Sequence, residues 1–238
     1  MSSHINIISK RELRSYFNSP SAYIVLVFFL ILSGWFFTSP LFINNQANLS
    51  SLFNIIPILF LFFVPAITMS TIAKEKNSGT IEIITTLPLR DSEIIMGKFW
   101  ASLGLVVVGL LFTLVHFITI VILGSNIDFG AIATGYFGMI LLSAVYVSIG
   151  IFASSLTSNQ IVAFIISFFI CFFFFILDYS LMFIPSSLVG IFQFLSVNYH
   201  LSNITKGVID TRNLIYFLSL TIFFLRLSIL IMESRKWK

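Results

Sequence analysis

Residues 161–177 read IVAFIISFFICFFFFIL, an apolar run without one charged side chain. Strands of a membrane barrel alternate lumen-facing and lipid-facing residues over roughly ten positions, and this run does not alternate. In lipid every backbone N–H and C=O must bond within its own segment, so the run predicts a membrane helix. A helix needs roughly 20 mostly apolar residues to cross. By that criterion five further spans lie near 21–38, 52–73, 99–123, 132–154 and 214–232. The predicted fold is therefore all-α, a polytopic membrane protein of six transmembrane helices forming a single domain over 1–238. Composition agrees: 58% of residues are hydrophobic and 9% charged, where a soluble domain carries about a quarter charged.

Basic residues accumulate in cytoplasmic loops, which orients the chain. With the N-terminus inside, the inner segments hold Lys10, Arg11, Arg14, Lys74, Lys76, Arg90, Lys98, Arg235, Lys236 and Lys238, out of 13 Lys and Arg in all. Both termini are expected in the cytoplasm, and the net charge of +4 follows from that asymmetry. No basic-aromatic cluster points to nucleic acid. The first apolar run exceeds a 7–15-residue signal core and lacks a small-x-small cleavage site, so it reads as a retained anchor. The one cysteine, Cys171, gives no disulfide framework or thiolate metal site.

Two polar segments flank the early spans. At 100° per residue, Ile5, Ile8, Leu13, Tyr16 and Phe17 fall on one half of a helical wheel and Lys10, Arg11 and Arg14 on the other. The segment 1–19 thus predicts an amphipathic helix lying in the membrane interface, broken at Ser19-Pro20. The other segment, 74–98, reads KEKNSGTIEIITTLPLRDSEIIMGK. Asn77-Ser78-Gly79 signals a turn, and Pro88 ends whatever helix starts at Thr80. Ile81, Ile84 and Pro88 share a face with Ile83 and Leu87 nearby, more apolar than a solvated loop, so the segment docks on something; a loop packed only on its own chain is the alternative. Asp91, Ser92 and Glu93 offer an N-cap and negative charge for the next helix, which runs through Lys98 and Trp100 into the third span.

These residues resemble a known family. KREL, Ser-Tyr-Phe and Ser-Pro before the first span, VPAITM ending the second, and EKNSGTIEIITTLPL with its later Gly-Lys look like the type 2 ABC exporter permeases. The family's Glu-Lys-x-x-Gly-Thr-x-Glu, Pro and Gly-Lys are matched by Glu75, Lys76, Gly79, Thr80, Glu82, Pro88, Gly97 and Lys98. The stretch YHLSNITKGVIDTRNLIYFLS is similar to the gliding-motility subgroup, with Asn213 where an acidic residue is the subgroup's pattern. The resemblance implies a permease subunit in a bacterial inner membrane, paired with a separate ABC ATPase and with a second permease subunit, identical or related. The amphipathic helix and residues 78–90 would form the surface on which the ATPase docks. ATP and Mg would belong to that partner and no cofactor to this chain; no G-x-x-x-x-G-K-[ST] phosphate loop occurs in it.

Other residues admit sharper readings. Arg226 and His116 lie within predicted spans; Arg226 reads as snorkelling or as paired in the bundle, His116 as packed or as bonded across helices. Pro57 and Pro65 interrupt the ladder of the second span, and Ala131/Gly135 and Ala144/Ser148 allow close approach along the fourth. Residues 178–213 are too apolar for a plain loop and predict short helices at the outer leaflet. A non-transporting membrane anchor coupling an ATPase to an envelope assembly is the alternative function. An intramembrane enzyme is disfavoured, since the spans hold no H-E-x-x-H and no nucleophile–base set.

Overall fold

Capping groups, not the ends of the apolar runs, set where the helices begin. The computed structural model of the chain describes residues 2–43, 49–82, 89–123, 128–183 and 185–234. Its helices are α1 (Ser2–Phe17), α2 (Pro20–Ile43), α3 (Ser50–Thr68), α4 (Ala73–Asn77), α5 (Asp91–Phe112), α6 (Leu114–Leu123), α7 (Phe129–Leu156), α8 (Gln160–Ser180), α9 (Ser186–Leu195), α10 (Val197–Thr205) and α11 (Thr211–Ser234), with a 3-10 turn at Leu181–Phe183. The described residues contain no strand. Six helical stretches are long and apolar enough to cross a membrane, as the apolar runs predict.

Pro20 opens α2, where its missing N–H costs nothing. The Asp128 side chain accepts from the Ala131 N–H at 3.1 Å to start α7, and Asn159 accepts from the Ile161 N–H at 2.9 Å to start α8. Each satisfies a backbone donor that the first helical turn leaves unbonded. At α5 the expected cap shifts by one residue. Arg90 holds the cap position, and Glu93 accepts from its N–H at 3.1 Å. Asp91 and Glu93 are instead buried in the first turn, where the dipole favours their charge.

The third predicted span is two helices. Thr113 donates its hydroxyl to the Leu110 carbonyl at 2.6 Å, and the Tyr136 hydroxyl lies 3.2 Å from the Thr113 carbonyl. With that carbonyl engaged by a side chain from α7, the helix restarts at Leu114 as α6. By contrast α3 runs through both Pro57 and Pro65 and stops at Thr68.

The bundle is organised around α7, which packs against α3, α5, α8, α10 and α11. Of its apolar window 72% is buried, against 22% for α2. Glycines make this possible. A Cβ on Gly135 would sit 2.4 Å from the Phe53 ring, and one on Gly150 would sit 1.9 Å from Thr68 Oγ1, so α3 and α7 approach at two levels only because neither position has a side chain. Of the small residues expected to serve this way, Gly135 and Ser148 are buried; Gly138 and Gly150, outside the four-residue spacing considered, do the same work. The Phe-rich α8 buries the stripe Ala163, Ser167, Cys171, Phe175 and turns Phe169 and Phe173 outward. Residues 178–213 form short helices as expected, with Met182 and Phe183 exposed.

Candidate coupling site

The site is assembled where α1, α4 and the start of α5 meet. The apolar stripe of α1 buries Ile8 and half-buries Ile5, Leu13, Tyr16 and Phe17, while Lys10, Arg11 and Arg14 stay exposed on the opposite face. The expected helix is present, and its stripe packs on α5. Gly97 is the reason. A Cβ at Gly97 would lie 2.5 Å from Ile8 Cγ2, so only glycine lets the two helices meet at this depth. Further along, the Tyr16 hydroxyl lies 3.0 Å from Ser102 Oγ. Burial pushes the Tyr16 phenol above its ordinary pKa, while the Ser102 hydrogen bond pulls the other way; at neutral pH it is a hydroxyl.

Lys98, the residue after Gly97, is only 2% exposed. Its ammonium donates to Glu75 Oε1 at 2.6 Å and to the Thr71 carbonyl at 2.7 Å, and it lies 3.5 Å from Glu12 Oε1. A buried ammonium is tolerated only when its protons are used and its charge is balanced. Here one cation clasps α1 through Glu12, the turn after α3 through Thr71, and α4 through Glu75. Loss of a partner from a buried pair costs about 3–5 kcal/mol; Glu12 and Glu75 are 18% and 19% exposed, so water takes up part of that.

A second tie fixes α4 to the centre of the bundle. The Ile72 and Ala73 N–H groups donate to Ser154 Oγ at 3.0 and 2.9 Å, and that hydroxyl donates to the Met69 carbonyl at 3.0 Å. Lys76 donates to the Ser155 carbonyl. The chain then turns at Gly79, whose φ of 70° lies in the left-handed region that glycine adopts without strain. Residues 80–82 resume a helical turn with Thr80 and Glu82 exposed and Ile81 buried to 2%. Ile83, Ile84, Leu87 and Pro88 lie outside the described residues.

The structure thus divides the motif residues. Glu75, Gly97 and Lys98 meet inside the molecule, Lys76 is tied to α7, and Gly79, Thr80 and Glu82 stand at the surface. Sequence reasoning missed Glu12, Thr71 and Ser154; only Glu12, the one acid in the amphipathic segment, carried a visible signal. The intramembrane pair lies elsewhere. Arg226 points out of the bundle from α11, and His116 is half-buried and stacked on Phe37 with centroids 4.6 Å apart. The Gly-Val-Ile-Asp stretch is a helix junction. Gly207, at φ 91°, ends α10 with its N–H on the Ile204 carbonyl at 3.1 Å, and Asp210 caps α11 by accepting from the Arg212 N–H at 2.9 Å.

A site of this kind has a fixed inner clasp and an exposed turn, and among the described residues no group of His, Cys, Asp and Glu could hold a metal ion. Among curated proteins none matches the chain significantly. The profile of ABC-2 family transporter proteins matches residues 44–232, from the second span through nearly all of the last. That stretch covers most of the chain, including the clasp residues Thr71, Glu75 and Lys98, and the chain therefore belongs to the ABC-2 family of transporter proteins.

Proposed function

We propose that this chain is the permease subunit of an ABC exporter, working with a separate cytoplasmic ATPase and a second permease subunit in a bacterial inner membrane. The observation that carries this reading is the exposed turn at Gly79, Thr80 and Glu82, held on a rigid base by Glu75–Lys98 and by Ile72 and Ala73 on Ser154. A turn fixed at its root and exposed at its tip transmits a partner's movement into the spans. In this reading Arg11, Arg14, Thr80 and Glu82 contact the ATPase, Glu75, Gly97 and Lys98 hold the contact in place, and ATP and Mg are bound by the partner. The membrane lipid is the remaining partner, and both termini are cytoplasmic. A role in gliding motility or secretion rests on the resemblance of residues 199–219 alone.

The test is affinity purification of the tagged chain from its native membrane. Recovery of a phosphate-loop ATPase in stoichiometric amount is expected, and its loss in Thr80→Arg/Glu82→Arg. These exposed positions are the cleaner choice, because Ile81→Asp would place a charge in the chain's own core. Recovery of no ATPase from the unaltered chain overturns the reading.

A further inference from the structure

Over the end of α3 lies a cavity of about 700 Å³. Its walls are α1, the first turn of α2, the turn after α3, α4, and Gln160 at the start of α8. Pro20 and Gln160 are the first residues of two membrane-crossing stretches. The cavity is therefore at the level where hydrocarbon gives way to head groups.

Its lining sets two carboxylates, Glu12 and Glu75, against Arg11 and Lys74, and Lys98 behind the wall brings one cation more. Arg11 pairs with Glu12 at 2.9 Å, and Lys98 behind the wall pairs with Glu75 at 2.6 Å. Lys74, the third cation, lines the cavity and has no acidic partner among the described residues. The hydroxyls of Ser15, Ser19 and Ser70 line the same cavity, while those of Ser78 and Thr80 are already bonded to the α4 backbone. On the membrane side Val25 and Ile67 belong both to this cavity and to a narrow apolar crevice between α2 and α3, with room for only about 10 Å³, that continues to Phe63. Outside that crevice α2 shows Ile24 and Val27 to the surroundings.

An unmatched ammonium and hydroxyls at head-group level, beside the apolar outer face of α2, select a molecule with both characters. A soluble anion gains nothing from that face, and a zwitterionic head group brings its own cation against Lys74. We propose that this cavity holds the phosphate-bearing head group of an anionic membrane amphiphile, with Lys74 as its charge partner and its chain lying on the outer face of α2 over Ile24 and Val27. The inference does not rest on pairing with an ATPase, because the chain alone retains the lipid.

The experiment is native mass spectrometry of the full chain, delipidated in detergent and supplied with phosphatidylglycerol or phosphatidylcholine. Phosphatidylglycerol is expected to be retained preferentially. Lys74→Gln should weaken that retention roughly five-fold, the size expected for one cation at a membrane surface, and Lys74→Arg should restore it. Lys10→Gln, on α1 but outside the cavity, should leave it unchanged. Equal retention of both lipids, or equal losses in Lys74→Gln and Lys10→Gln, overturns the site. Inorganic phosphate should fail to displace the lipid; if it displaces it, the anion's source is soluble and the membrane amphiphile is overturned.

Discussion

At the basic end of the bundle one buried ammonium holds three segments through carboxylates and a carbonyl; at the far end an imidazole does comparable work with uncharged partners. His200, 2% exposed, has Nδ1 2.7 Å from the Asn213 side-chain amide and Nε2 2.9 Å from the Phe194 carbonyl. It stacks on Tyr216 at 4.1 Å, whose hydroxyl donates to the Leu195 carbonyl at 2.6 Å. The partners also differ in reach. The far-end bonds join residues 6, 13 and 21 apart, so the knot closes among the three consecutive helices α9, α10 and α11. The clasp joins residues 23 and 27 apart, and its neighbour Tyr16–Ser102 joins residues 86 apart. A charge left unpaired costs more than a neutral group left unpaired, so the clasp sets the register of distant segments with a stiffness that the knot does not need.

Four tests probe that contrast, the most damaging first. Glu12→Gln with Glu75→Gln leaves Lys98 buried without a carboxylate and should cost about 3–5 kcal/mol, read as a fall in the thermal unfolding midpoint in detergent. Tryptic cleavage at Lys10 and Arg11 should speed up with it, as α1 detaches. Next, Gly97→Val drives a side chain into Ile8 and should cost about 1–3 kcal/mol; adding Ile8→Ala should recover much of the loss. Third, Asn213→Leu leaves His200 short of a buried partner and should cost about 1–3 kcal/mol, yet tryptic cleavage of α1 should stay at its original rate. If it accelerates, the two ends are not independent and the comparison fails. Last, Arg226→Gln should leave the unfolding midpoint where it is, since the side chain faces away from the bundle; a marked fall would assign Arg226 a partner.

The six spans were legible because lipid demands long apolar runs, and six such stretches are present. Their ends were less so, because hydropathy marks the membrane boundary and not the last helical residue: α2 runs on to Ile43 where the apolar run predicts an end near 38, whereas the start of α5 at Asp91 was visible in its capping residues. The break at Thr113 had no signal, since the cause is a tyrosine from α7. In the site, the motif named Glu75, Gly97 and Lys98 but not their arrangement. Read along the chain they look like a surface patch; folded, Gly97 is a clearance for α1 and Lys98 is interior. Nothing in one sequence says that Glu12 joins them, because the pairing is made by how α1 lies on α5. At the far end His200 went unremarked, and Asn213 stood out only as a departure from the subgroup's pattern.

The burial of α7 has a consequence for how the chain enters the membrane. It is the most enclosed of the six spans and the least apolar, and two of the helices that enclose it, α8 and α11, follow it in the chain. During synthesis it must therefore sit in lipid before its walls arrive. Two of its buried hydroxyls are prepared for that interval. Ser143 donates to the Ile140 carbonyl and Ser148 to the Val145 carbonyl, both at 2.7 Å, bonds made within the helix itself and present before any neighbour is in place. The span that is most protein-covered at the end is thus built to survive without that cover at the start.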